Sequence, residues 1–292
     1  MIRREFLTTS AVLTAAAATP QCFAALGKNN KYRNEIGIQL YTLRNQINED
    51  VEGTLKVVAD AGYFQVEPYG FPDAGEMIQA AKDNGMTVNS SHFAWDSVVN
   101  PDDDGVPPFA EILEKANDAG LTDLVIPYLA DKNRKTLDDY RQLCDRCNKA
   151  AEQAKEAGIQ LSYHNHAFEF KPMDDGKTGY DILIERFSED MHFEIDVFWI
   201  VVGGHDPAKL IRKLKGRVSQ LHLKDLNKAV RTPNYGSIPN EAFEELGDGT
   251  IAMEPIIRAA NRAGVKYCHV EQDHSPNPIQ SIQQSMKYLK TL

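Results

Sequence analysis

Ala157-Gly158-Ile159-Gln160-Leu161-Ser162-Tyr163-His164-Asn165-His166 holds the unit from which the chain is built. A charged helical run ends at Ala157. Gly158 then offers the left-handed cap that a side chain would resist. Gln160–His166 reads as a strand, and it finishes in two histidines. The phrase recurs: Ala61-Gly62, Asn84-Gly85, Ala119-Gly120 and Ala263-Gly264 each close a helical run shortly before a β-type segment. The runs carry apolar residues at helical spacing, as in Val51, Leu55, Val58 and Ala59, or Ile256, Ile257, Ala260 and Ala263. The strand candidates are Ile36–Tyr41, Phe64–Pro68, Thr87–His92, Leu124–Tyr128, Gln160–His166, His192–Val197, Ser219–Lys224 and Tyr267–Gln272. Strands alternating with helices give a parallel sheet with crossover helices. A doubly wound open sheet shares this pattern. The count of eight selects closure, so the chain is expected to be an α/β protein, a single-domain (β/α)8 TIM barrel over residues 35–292.

Composition narrows the function classes. Hydrophobic residues make up 42% and charged residues 25% of the 292, an ordinary globular balance. The formal net charge of -10, with no basic stripe, repels a phosphate backbone, so no nucleic-acid partner is expected. The ligand is expected to be small, and neutral or bridged by a metal. Arg3 and Arg4, then Phe6 and Leu7, then an Ala/Thr/Leu run from Ala11 to Thr19, read as a twin-arginine-type signal peptide over residues 1–25. The expected location is therefore exported and periplasmic, with cleavage near Ala24 or Ala25 and a short linker over 26–34. That run is too short for a stable membrane span. Cys22 follows Pro20 and Gln21, neighbours unsuited to lipid attachment. Cys144 and Cys147 fall on one helix face, and with Cys268 they imply no disulfide framework. A homo-oligomer is compatible with all of this.

In a barrel, the active site forms at the C-terminal ends of the strands. Those ends are rich in metal-binding side chains: Glu67, His92, His164 and His166, Asp196, His222 and Asp225, Glu271 and Asp273. Four of the 8 histidines fall there. Alternation puts His164 and His166 on one strand face with Asn165 on the other. Asp196, between the His192-Phe-Glu-Ile run and Val197-Phe198-Trp199, is a carboxylate in apolar company and needs a cation or several hydrogen bonds. The connections from Ala94 to Pro107 and from Asp225 to Gly249 are long and polar, and Trp95 and Tyr235 suggest lids over the mouth.

Val66-Glu67, His164-Asn165-His166, Asp196, His222-Leu223-Lys224-Asp225 and Val270-Glu271 together resemble the sugar isomerase/epimerase superfamily of xylose isomerase-like barrels. The resemblance covers nearly the whole chain after the signal. It implies a divalent metal held by Asp196, His222 and Glu271, with His164 in the position where the family carries a glutamate. That replacement removes one of the two opposed acid/base groups of the epimerases. The family's Asp-x-x-His on strand six reads Asp196-Val197-Phe198-Trp199 here, which removes a histidine, so the resemblance does not imply two-base epimerization. Two histidines with two carboxylates favour Mn, Zn or Co over Mg.

The chemistry implied is removal of a carbon-bound proton beside a carbonyl of a sugar or keto-sugar, giving an enediolate. Glu271, His166 and His164 are the candidates for the base, Glu271 and His166 being the preferred pair. Glu67, His92, Trp95, Lys224 and Asp225 are expected to bind substrate, with Lys224 and Asp225 alternatively supporting His222. Tyr41, Phe93, Phe198 and Trp199 are further wall candidates. The enediolate serves isomerization, epimerization, or elimination of water or a glycoside, and export favours a free sugar or a 3-keto-glycoside over a sugar phosphate. The missing strand-five glutamate also fits a sugar-binding barrel without catalysis.

Overall fold

The computed structural model describes residues 30–292. The signal-type segment 1–25 and residues 26–29 of the expected linker lie outside the described residues. The eight expected strands are β1 (Gly37–Gln39), β2 (Gln65–Glu67), β3 (Thr87–Val88 continued by Ser90–His92), β4 (Asp123–Ile126), β5 (Gln160–His164), β6 (Met191–Asp196), β7 (Val218–Leu223) and β8 (Tyr267–Val270). All pair in parallel, β1 between β2 and β8, then β8, β7, β6, β5 and β4 in turn. Thr87–Val88 pairs with β2 and Ser90–His92 with β4, so the nine strand segments of the sheet close on themselves across Asn89. The break has a cause: the Asn89 carbonyl accepts from both Thr122 N and Asp123 N, at 2.9 and 3.0 Å, and turns the strand from one neighbour to the other.

The repeated glycines do what their recurrence predicts. Gly62, Gly85, Gly120, Gly158 and Gly264 all have φ between 75 and 93°. The helices between the strands bury one stripe each. Asp50 caps the helix Val51–Asp60, which turns Thr54, Leu55 and Val58 inward, and a Thr136–Asp139 capping box opens the helix Leu137–Glu156. Part of the expected linker is folded instead: Lys31–Asn34 is a one-turn helix whose buried Tyr32 bonds the Val265 carbonyl at the strand-start end of the barrel. The expected linker fails there because an aromatic ring and a lysine find carbonyl partners on the barrel itself.

Alternation sorts each strand into two faces. Ile38, Val66, Leu124, Leu161, Phe193, Ile195, Leu221 and Val270 pack outward against the helices in one apolar core. Inward lie Gln39, Glu67, Ser90, Ser162, His164, Glu194, Asp196, Gln220, His222 and His269, all buried. The usual filling of such a barrel is bulky and aliphatic; here it is polar. Gly37 is part of the arrangement, since a Cβ there would stand 2.3 Å from the His269 ring.

Candidate active site

The inner polar layer is built around Glu194. One of its oxygens accepts from His92 Nε2 at 2.9 Å and from His164 Nδ1 at 2.8 Å. The other accepts from Gln220 Nε2 at 2.5 Å and faces His222 Nε2 at 3.1 Å. Burial raises the Glu194 carboxyl, but the His222 and His92 rings outweigh it and hold it well below the usual range. Glu67 is equally enclosed, accepting from Gln39 at 2.9 Å, Ser90 at 2.6 Å, Gln220 at 2.6 Å and His222 Nε2 at 2.6 Å. His222 donates from its other nitrogen to Glu271 Oε2 at 2.7 Å. Burial lowers its pKa, and Glu194 and Glu271 reverse that and raise it well above the ordinary value.

Above this layer Asp196, His222 and Glu271 offer donor atoms within 4.8 Å of one another. Asp196 spends one oxygen on the N–H groups of Phe198 and Trp199, capping the short helix Val197–Val202; its other oxygen, Oδ2, accepts no hydrogen bond. His164 adds a fourth donor. Its Nδ1–H is committed to Glu194, and burial keeps the ring neutral, so the Nε2 lone pair is free 3.7 Å from Asp196 Oδ2. His164 also groups with His92, Glu194 and His222, one step deeper. A carboxylate oxygen that accepts no hydrogen bond, though the Lys224 ammonium stands 3.1 Å from it, an imidazole fixed in the ligating tautomer and a second carboxylate fit a divalent ion, provided His222 gives up its Nδ1 proton.

A cavity of about 540 Å³ opens onto this cluster, lined among others by Tyr41, Tyr69, His92, Trp95, Tyr128, His164, His166, Trp199, Lys224, Phe243, Glu271 and Asp273. Both long connections contribute, through Trp95 and through Gly236, Ser237 and Ile238, while Tyr235 is not among the lining residues. His166 lies just past β5, its backbone N–H held by Glu169 Oε2 at 2.9 Å and its ring stacked on Phe168. Burial, then His164 and Lys224, push its pKa well below the ordinary value, and its Nδ1 has no partner. Trp199 Nε1, on the same wall, has none either.

The structure thus brings His92, Trp95, His164, His166, Lys224 and Glu271 to the cavity, with Asp196 and His222 directly beneath it. Two residues assigned to substrate are placed elsewhere. Glu67 is fully buried under His222, all its capacity used by protein donors. Asp225 accepts from the N–H groups of Leu226, Gly247, Gly249 and Ile251 at 2.8, 2.9, 3.2 and 2.8 Å. It ties down the loop after β7 and is not among the residues that line the cavity above the cluster. The reason is parity: Lys224 points inward, so its neighbour points out. Sequence reasoning missed Glu194, Gln220 and His269, and named Asp273 among the strand ends without giving it a role. Each of the first three stands two residues before a residue that was chosen, on the same strand face.

The chain matches the family of xylose isomerase-like TIM barrels over residues 55–292. It belongs to that family. Among curated relatives it is similar to an inosose dehydratase of Clostridium perfringens, 28% identical over 165 residues, which are 52% of this chain and 54% of that one. The chain therefore spans about half the length of the curated relatives it matches. Among solved structures it resembles a sugar phosphate isomerase/epimerase from Parabacteroides distasonis, with a TM-score of 0.71 and 24% identity over 87% of this chain and 97% of that one. It also resembles a zinc-bound IOLI protein, with a TM-score of 0.66 and 13% identity over 88% and 98%. Likeness at these identities speaks for the fold. Among the described residues no helix is long and apolar enough to cross a membrane.

Proposed function

We propose that this protein is a metal-dependent enzyme that removes a proton beside the carbonyl of a sugar or keto-sugar, as an isomerase or epimerase. The observation that carries the reading is the convergence of His164, Asp196, His222 and Glu271 beneath a cavity whose wall includes the His166 ring, the buried Nδ1 of which has no hydrogen-bond partner. A divalent ion held by those four residues, Zn, Mn or Co by its ligand set, would supply the Lewis acidity that makes a carbon-bound proton removable.

The remaining work falls to the chain's own side chains. His166 is neutral with a free nitrogen, the state a base needs. Glu271 is the other candidate base: burial raises its carboxyl, but Lys224 and His222 overcome this and hold it well below the usual range. Trp199 Nε1–H and His92 offer donors to hydroxyls. Tyr41, Tyr69, Trp95 and Tyr128 present the flat apolar faces that sugar rings stack on. We further propose that the chain acts outside the cytoplasm after export by the twin-arginine-type signal, on a free sugar or keto-glycoside.

Elimination of water or a glycoside is the second reading, favoured by Asp273. Burial outweighs Lys224 and raises this cavity-lining carboxyl to about 7, where it can deliver a proton to a leaving group. The similarity to an inosose dehydratase supports the same chemistry. The test is metal analysis combined with proton–deuterium exchange into a panel of keto-sugars. Wild type should carry metal and exchange, Asp196→Asn should lose both, and His166→Gln should keep metal while exchange falls by about 10²-fold or more. Metal-free wild type, or exchange unchanged in Asp196→Asn, overturns the reading; product analysis separates isomerization from elimination.

A further inference from the structure

Lys224 stands among the oxygens that a metal would use. Its ammonium lies 3.1 Å from Asp196 Oδ2, 2.8 Å from Glu271 Oε2 and 3.0 Å from Asp273 Oδ2, with the side chain only 4% exposed. An ammonium has three protons to donate, and three carboxylates surround this one. Asp196 and Glu271 belong to the proposed ligand set; Asp273 does not.

A divalent ion approaches carboxylate oxygens to about 2.0–2.2 Å. An ammonium held by the same oxygens would then face it at short range with the water excluded, and two cations in a dry site repel strongly. Without either cation the three buried carboxylates would repel one another and lack solvation. The ligand set therefore has a tenant in the chain itself. Asp273 lies toward the cavity and already takes one of the ammonium's hydrogen bonds, at 3.0 Å, and the lysine stem has four rotatable carbons with which to lean that way.

We propose that Lys224 is a built-in cation: it holds Asp196 and Glu271 together in the metal-free protein and withdraws onto Asp273 to admit a divalent ion. Metal affinity is then an exchange of one cation for another. This inference rests on the metal reading above and goes beyond it, because it adds Lys224 to the His222 proton as a cation that metal binding must displace.

The experiment is Zn2+ affinity, read by competition with a chromogenic chelator, for the full protein, Lys224→Met and Asp273→Asn, with thermal unfolding of each before and after Zn2+ is added. Lys224→Met should bind Zn2+ at least tenfold more tightly, melt lower than wild type when metal-free, and recover when loaded. A lysine that only contributed background charge would tighten binding on removal without lowering the metal-free melting point. Asp273→Asn should bind at least threefold more weakly, because the lysine has lost the partner it withdraws to. Unchanged or weaker binding by Lys224→Met overturns the inference alone. If that variant does not fold, unchanged affinity in Asp273→Asn overturns it. Absence of Zn2+ binding in wild type and both variants removes the metal reading and this inference together.

Discussion

Neighbouring residues on the same strands of this barrel enter two interiors with opposite chemistry. On β6, Phe193 and Ile195 face the helices while Glu194 and Asp196 face the axis; on β7, Leu221 and Leu223 alternate with Gln220 and His222; on β8, Cys268 and Val270 alternate with His269 and Glu271. All are buried, so depth does not distinguish them. The outer layer gains free energy with every apolar side chain taken from water, about 1.5–3 kcal/mol for a large one. The inner layer starts from a desolvation cost that pairing only offsets. Burying Glu67, Glu194 and Asp196 beside His92, His164 and His222 is a poor way to stabilise a fold and a good way to hold charged groups at fixed separations. The outer core gives the barrel its stability; the inner one gives it a site.

The largest expected effect tests the outer layer. Phe193→Ala should lower stability by about 4 kcal/mol, since it opens a cavity among Tyr163, Tyr180 and Phe187 where the ring now packs. Urea unfolding reads this, and Zn2+ affinity should stay within about threefold because a pair of mutated and ligating residues without shared partners is nearly additive. Glu194→Gln is the inner counterpart. It keeps an amide oxygen for His92 and His164 but removes the charge that three imidazoles face, and should cost about 2 kcal/mol at neutral pH. A Glu194→Gln loss larger than that of Phe193→Ala would invert the comparison and make the polar interior the main support of the barrel.

The outer layer was also the more legible of the two in the sequence. Period-two strands, helical stripes and five Gly caps all follow local rules, and the barrel, its eight strands and their order can be read from them. The inner layer breaks those rules. Glu194 sits in Met191-His-Phe-Glu-Ile-Asp196, a run apolar enough to draw attention to Asp196 alone, although the two share a face. Gln220 and His269 were hidden in the same way, two residues behind His222 and Glu271. Asp225 shows the reverse error. It stood in a conspicuous His-Leu-Lys-Asp string, and parity sends it outward to accept four backbone N–H groups, with Gly249 too close to tolerate a Cβ. Strand parity was available in the sequence for all of these. What was not available is where Lys224 reaches, because a long flexible side chain finds its partners only when three strand ends have been brought together.

The smallest expected effect separates the two ends of one strand. His192 stands at the start of β6 on the same face as Glu194, but no carboxylate is hydrogen-bonded to its ring and its Nδ1 has no partner. Burial, then Lys266 and Arg217, against a weaker pull from Asp190, lower its pKa to about 4. In the unfolded chain a histidine titrates near 6.5. Between those values the unfolded chain binds the extra proton and the folded chain does not, so this residue costs stability as pH falls from 6.5 to 4 and costs nothing above 7. His192→Gln should therefore match wild type to within about 0.5 kcal/mol at pH 7.5 and exceed it by about 1 kcal/mol at pH 4.5, the full shift being discounted for the ring's partial contact with solvent. Urea unfolding of the pair at both pH values reads the difference. A difference that does not change with pH would mean that this ring is not held neutral, and that the start of β6 supports a charged histidine as the far end of the strand does.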